Sequence, residues 1–204
     1  MSECSTFISQ APHRNSDPSA LGIPQTGRHI AILSNDGPVP VGKTGQIAVH
    51  KDDPGLMLGY FNAPEATRDR FQGHWFLTGD IGRMSEDGSI HYEGRADDMM
   101  NAGGFRVSPM EVEGALSGCP GIGQIGITQI EVKPETYVIA AFFTADDSVT
   151  ADTLEASANS NLARYKQPRI YQKVDALPTN ANGKLARNQL RAIYEDKRNG
   201  SDQT

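Results

Sequence analysis

The sequence predicts an α+β fold in two parts, a strand-rich first half and a second half in which strands and helices alternate. Three observations carry this. Short apolar runs separated by Gly, Asp and Asn fill the first ninety-odd residues without a long helical pattern. The pattern changes after Arg95, where Ser108-Pro109-Met110-Glu111 opens a helix. From there β-rich runs and helical stretches alternate to the end of the chain.

The elements follow in order. Residues 5–28, rich in Ser, Pro, Gly, Gln and Asn, read as loop. Residues 29–34 (HIAILS) and 46–51 (QIAVHK) are strands, and Asp36-Gly37 between them is a turn, because Gly takes positive φ without steric cost. Residues 62–65 carry a helix-start pattern, HWFLTGDIGRM and SIHYEGR give two more strands, and Glu86-Asp87-Gly88 is the hairpin turn between them. Ser108 caps a helix with Pro109 at its first position and Glu111 three residues after the cap; it ends at Gly118, and Pro120 prevents continuation. QIGITQIEV and TYVIAAFFT are strands joined by Lys133-Pro134-Glu135; about 150–162 is helical, RIYQKVDAL is a strand, and about 186–197 is a terminal helix. A domain boundary between residues 95 and 98 divides the chain into 1–96 and 97–198, with 199–204 expected as a disordered tail.

Composition narrows the function classes. Nineteen Lys and Arg against 25 Asp and Glu give a net charge of −6, which argues against a nucleic-acid binder working through a broad basic face. The longest apolar run, residues 137–143, is too short to cross a bilayer, and MSECSTF has neither region of a secretory signal. Cys4 and Cys119 make no disulfide framework. A soluble, cytoplasmic protein is expected.

Four segments place polar residues and glycines where a plain sheet wants neither. In WFLTGD a strand ends in Thr-Gly-Asp, so Asp80 offers a carboxylate suited to vicinal hydroxyls such as those of a ribose, or starts an ordinary turn. In EGRADDMMNAGGFRVSPMEVE, Arg95 and Arg106 are planar cations fit for phosphate, with Asp97-Asp98 and Gly103-Gly104 between them; a tight turn and a surface Arg–Asp pair would explain the same residues. In LPTNANGKLAR the Asn182-Gly183 turn presents Lys184, as a mobile point charge or as a solvated turn lysine. PGLMLGYFNAPEAT is a Gly- and aromatic-rich loop. The five histidines show no metal-ligand spacing, Cys119 reads as a buried structural thiol, and there is no GxxxxGK[ST] phosphate loop.

Taken together, GQIAVHKDDPGLMLGYFNAPEAT, WFLTGD, GRADDMMNAGGFRVSPMEVE, YKQP and LPTNANGK resemble, in order and spacing, the C-terminal core motifs of the adenylate-forming (ANL) superfamily. That group includes AMP-forming acyl-CoA synthetases, firefly luciferase and peptide-synthetase adenylation domains. The resemblance covers about residues 21–191, and DDMMNAGGFRVSPMEVE is most similar to aryl- and acyl-CoA ligases. It implies the remnant of a β-rich, barrel-like subdomain followed by a small α+β C-terminal domain whose central sheet is flanked by helices.

The resemblance also implies roles. Asp80 and Arg95 would hold the nucleotide's ribose and phosphate, and Asp97 would be the hinge of the C-terminal domain. Gly103 and Gly104 would line the path of the CoA pantetheine arm, where a Cβ would intrude, and Arg106 would face a phosphate. Lys184 would be the catalytic lysine of adenylation. MSECSTFIS is similar to the family's Tyr-Gly-x-Thr-Glu motif entered halfway, which would make Glu3 a Mg²⁺-associated carboxylate and Ser2 a phosphate-facing hydroxyl. The expected protein is thus the C-terminal fragment, from a truncated or split gene, of an ATP-dependent carboxylate–CoA ligase. It would use ATP, Mg²⁺, CoA and a small carboxylic acid. It would be inactive without the phosphate-loop region, a separate N-terminal chain being one source of it. A non-catalytic remnant or partner-binding module, and transfer to a carrier protein, are the alternatives. Strands in residues 29–95 would then have lost neighbours and should leave apolar surface or sheet edges exposed.

Overall fold

In the computed structural model, which describes residues 1–10 and 17–201, the chain divides into two compact units, Met1–Asp97 and Asp98–Thr204. The first unit opens with a 3₁₀ turn at Ser2–Cys4 and a two-stranded ribbon of β1 (Ile8–Ser9) and β2 (Ile23–Pro24). Its main sheet is antiparallel and contains β3 (Ile30–Ser34), β4 (Gly37–Pro38), β5 (Thr44–His50), β6 (Phe71–Gln72), β7 (Trp75–Met84) and β8 (Ile90–Arg95). The order is β4-β3-β5-β7, with β6 and β8 sharing the far edge of β7. The short helix α1 (Pro64–Arg68) follows Asn62, whose φ of 52° reverses the chain before Pro64.

Alternation along the strands puts Ile32, Ile47 and Ile90 in one small buried cluster and Cys4, Val49 and Phe76 in another, joined by the half-buried Phe7 and Ile30. A buried polar knot pins the loop that follows β5. Asp53 accepts from Arg28 Nη1 at 2.6 Å, the Gly55 amide at 2.9 Å and the His29 amide at 3.1 Å. Burial works to raise its pKa, but these three donors outweigh burial and hold the carboxyl below its usual range. A Cβ at Gly55 would come 1.8 Å from Arg28 Nη1, so the knot requires glycine there.

The second unit begins with a hairpin of β9 (Met100–Ala102) and β10 (Phe105–Val107), then α2 (Pro109–Leu116). Ser108 caps α2 as expected, accepting from the Glu111 amide at 3.4 Å. A long antiparallel pair, β11 (Ile122–Lys133) and β12 (Thr136–Ala145), is joined at Glu135, which takes φ 59° and donates its amide to Glu131 Oε1. The helix α3 (Ala151–Asn161), closed by a Thr150–Thr153 capping box, crosses to β13 (Ile170–Lys173), which lies parallel to β12. The chain continues in α4 (Arg187–Ser201).

β12 is apolar on both faces, and both are covered. Ile139, Ala141 and Phe143 pack with Val112 and Leu116 of α2 and Leu154 and Ala158 of α3. Ala140 and Phe142 pack with Leu190 of α4. A continuous apolar strand buried on both sides is what such a layered arrangement needs. Two expectations are corrected. β13 stops at Lys173, so the strand is shorter than RIYQKVDAL. The terminal helix runs to Ser201, so residues 199–201 are helical rather than a disordered tail, while 202–204 lie outside the described residues.

In the first unit, Leu58 and Phe61 are 107% and 93% exposed. Among the described residues, the only strand pairing of β8 beyond β7 is an isolated bridge from Gly22 to Ile90.

Candidate functional site

Asp80 and Arg95 stand directly opposite each other on β7 and β8. Arg95 Nη1 donates to Asp80 Oδ1 at 3.0 Å, and Nη2 lies 3.6 Å from Asp97 Oδ1. Burial acts to lower the pKa of Arg95, but the two carboxylates outweigh it and raise the value. Gly79, at φ 80°, makes room for this guanidinium, since a Cβ there would sit 2.8 Å from Nη2. Thr78 locks the turn from below, donating to the Ile47 carbonyl at 2.7 Å and accepting from the Asp80 amide at 3.1 Å. Asp80 Oδ2 has no hydrogen-bond partner among the described residues, so a diol can be received on that oxygen while Arg95 holds the other. The boundary between the two units falls immediately after Asp97.

At the other end of the first unit, Ser2 Oγ donates to Glu3 Oε2 at 3.0 Å and Tyr60 Oη donates to Glu3 Oε1 at 3.2 Å. The backbone amide nearest the Glu3 carboxylate lowers its pKa, and these two hydroxyls add to the effect against partial burial. Both oxygens of Glu3 are therefore engaged, and among the described residues no group of three or more His, Cys, Asp or Glu could hold a metal ion. The residues present do not by themselves make a Mg²⁺ site.

In the second unit Gly103 and Gly104 form the two-residue turn of the β9–β10 hairpin, with φ of 60° and 87°. Only glycine, or occasionally Asn or Asp, takes that pair of conformations readily, which accounts for both residues. A Cβ on either would meet nothing within 4 Å, so within this chain the backbone conformation, not crowding, demands glycine. Arg106 follows on β10 and is exposed.

Lys184 lies exposed on a turn that Asn180 organises. Asn180 Oδ1 accepts from the amides of Asn182 and Lys184, each at 3.0 Å, and the Asn180 amide donates to the Lys184 carbonyl at 2.7 Å. A bridge between Thr179 and Leu185 closes the base. The ammonium thus projects from a turn whose backbone is closely tied.

Comparisons with known proteins bear on the family. Residues 111–184 match the AMP-binding enzyme C-terminal domain, a match that ends on Lys184. The long-chain-fatty-acid–CoA ligase FadD13 of Mycobacterium tuberculosis is 32% identical over 166 residues, 81% of this chain and 33% of the relative. The 2-succinylbenzoate–CoA ligase of Bacillus velezensis is 31% identical over 191 residues, 93% of this chain and 39% of the relative. ATP-bound MatB from Rhodopseudomonas palustris aligns with a TM-score of 0.87 at 28% identity, covering 95% of this chain and 39% of that one. The chain belongs to the adenylate-forming superfamily, and the relatives it matches are named as CoA ligases. It spans a third to two-fifths of the length of these relatives.

Two groups carry no linear signature. Arg187, at the start of α4, bonds Glu113 Oε2 at 2.8 Å and lies 3.7 Å from Asp98 Oδ2. Burial raises the pKa of Glu113 against the pull of Arg187 and the Ile127 amide. The segment EVE and the run LAR each contained one partner, but nothing in a linear pattern joins them. The second group is His29, His50 and His74 with Trp75. The His50 ring lies 6.1 Å from His29 and 5.9 Å from His74, beside a cavity of about 440 Å³ lined also by Arg28. These rings are scattered in sequence and meet because β3, β5 and β7 are neighbours.

Proposed function

We propose that this chain is the carboxyl-terminal part of an AMP-forming carboxylate–CoA ligase. The observation that carries the reading is Lys184, a lysine on a tied turn at the end of the segment matched to the AMP-binding enzyme C-terminal domain. In the first half-reaction a carboxylate oxygen bonds to the α-phosphorus of ATP and pyrophosphate leaves. The Lys184 ammonium stabilises the negative charge shared by the attacking carboxylate and the α-phosphate. Asp80 receives the ribose hydroxyls, and Arg95 fixes Asp80 and faces the phosphate. In the second half-reaction the CoA thiolate attacks the acyl carbonyl and AMP leaves. The second unit turns about Asp97, Lys184 departs, and the Gly103–Gly104 turn with Arg106 receives the pantetheine arm and a phosphate.

The relatives' names support a CoA ligase and differ in the acid, a long-chain fatty acid in one and 2-succinylbenzoate in another. Neighbours solved with ATP and magnesium, or with AMP, support the nucleotide. Ser2 and Glu3 act near the phosphates only with ligands supplied from elsewhere in the ligase. Two buried free cysteines suit a cytoplasmic setting, and among the described residues no helix is long and apolar enough to cross a membrane.

The test uses the ligase in which this chain works. Lys184→Ala lowers ATP–pyrophosphate exchange on the order of 10²–10³-fold and spares thioester formation from supplied acyl-adenylate. Equal loss in both half-reactions overturns the role of Lys184. A second reading, a non-catalytic partner-binding module, is supported by the exposed apolar side chains of Leu58 and Phe61. Exchange by the 204-residue chain alone with any carboxylate excludes it. Comparing free CoA with a carrier protein decides the acceptor.

A further inference from the structure

We propose that Arg187 is the positioning residue of the Lys184 turn, tying it through Glu113 and Asp98 to the leading edge of the second unit. This rests on the reading of Lys184 as the adenylation lysine. The turn's own hydrogen bonds stay local: those of Asn180, the Thr179–Leu185 bridge and the Ala186 amide to the Pro178 carbonyl all lie within residues 178–186. What holds the assembly to the rest of the unit is the Leu185 side chain, packed over Gly126, and Arg187, three residues beyond the lysine.

Arg187 is an unexpected residue where it stands. It is the first residue of α4, where the helix dipole disfavours a cation, so helix formation does not account for it. Its side chain is 16% exposed, and Nη2 is 2.8 Å from Glu113 Oε2. Glu113 uses its other oxygen to accept the Ile127 amide at 2.8 Å, so the link runs from α4 through α2 into β11. Two further nitrogens, Nε and Nη1, are buried with no hydrogen-bond partner among the described residues. Nε faces Asp98 at 3.7 Å, just outside bonding reach, and Asp98 is partly exposed and adjacent to Asp97. The guanidinium that follows the lysine turn in the chain therefore faces the unit's first residue. A small approach of Asp98 would satisfy a donor that now lacks a partner.

Amide hydrogen exchange resolved by NMR on the 204-residue chain tests the tether without requiring catalysis. Arg187→Met should speed exchange of the Lys184 and Ala186 amides by roughly tenfold or more, while the β11–β12 ladder keeps its protection. Arg187→Lys, which keeps the charge but not the fork, should recover part of the loss. Asp98→Asn should give a smaller increase, roughly twofold, at the same amides. Unchanged exchange at the turn, a uniform rise across the unit, or no recovery with Arg187→Lys overturns the proposal. If Arg187→Met does not fold, Arg187→Lys and Asp98→Asn decide alone. A failed Lys184→Ala adenylation test would remove the catalytic assignment and leave the exchange result intact, so the two failures are distinguishable.

Discussion

The two units solve the problem of a stable core differently. The second buries both faces of one strand: Ile139, Ala141 and Phe143 under α2 and α3, Ala140 and Phe142 under α4. The first has small buried clusters on one face of its sheet, holds its loop with the Asp53 knot, and leaves Leu58 and Phe61 in water. One unit is closed by apolar layers, the other by polar geometry. The difference matches the proposed division of labour, in which the second unit turns as a body while the first is part of something larger.

The largest expected effect breaks the closed unit alone. Phe143→Ala removes a fully buried ring and should cost about 3–5 kcal/mol. The protein's one tryptophan, Trp75, lies in the first unit and reports on it selectively. Circular dichroism should show an earlier transition, with the fluorescence transition of Trp75 unmoved. Coincident shifts in both signals would mean that the units unfold together, and the contrast between them would fall.

Asp53→Asn is the converse and should act on the first unit, seen by Trp75. Breaking a buried ion pair leaves Arg28 unpaired and costs about 3 kcal/mol. The pH dependence has a definite sign. The folded pKa of Asp53 lies below the ordinary aspartate value of 3.8, so its contribution is complete above that value and is lost as pH falls through the lower folded pKa. The stability gap between wild type and Asp53→Asn should be constant from neutrality to about pH 4 and close below it. A gap that narrows near neutral pH would show that Asp53 is not the charged centre of the knot.

Much of this was legible in the chain. The cap at Ser108, the hairpin turn near Gly88 and the doubly apolar β12 are local signals, and each appears where propensity puts it. Asp80 and Arg95 were recognisable as chemistry, but their pairing was not. Had the β7–β8 ladder run without interruption, Asp80 would stand opposite Gly94; a register shift between Ile81 and Gly82 sets Glu93 in the irregularity of the ladder and brings Arg95 opposite Asp80 instead. Glu93 is held there by Thr44 and Arg83, which lie on other strands. The Arg187–Glu113 link was hidden for the same reason, since its partners are 74 residues apart. Tertiary register, not residue type, was the missing information.

The smallest expected effect concerns the two most exposed apolar side chains of the first unit. Leu58 and Phe61, at 107% and 93% exposure, gain almost nothing from folding in this chain, since burial is what stabilises an apolar group. The double change Leu58→Ser with Phe61→Ser should therefore move the Trp75-reported stability by less than about 0.5 kcal/mol. It should also reduce self-association at high concentration, because two exposed apolar groups have been removed from the surface. A clear loss of stability would show that these residues are packed in solution, and the first unit would then be closed by its own residues. Unchanged stability with reduced association supports a surface that the chain presents and does not itself cover. That is the property expected of the first unit if the remainder of a ligase completes it.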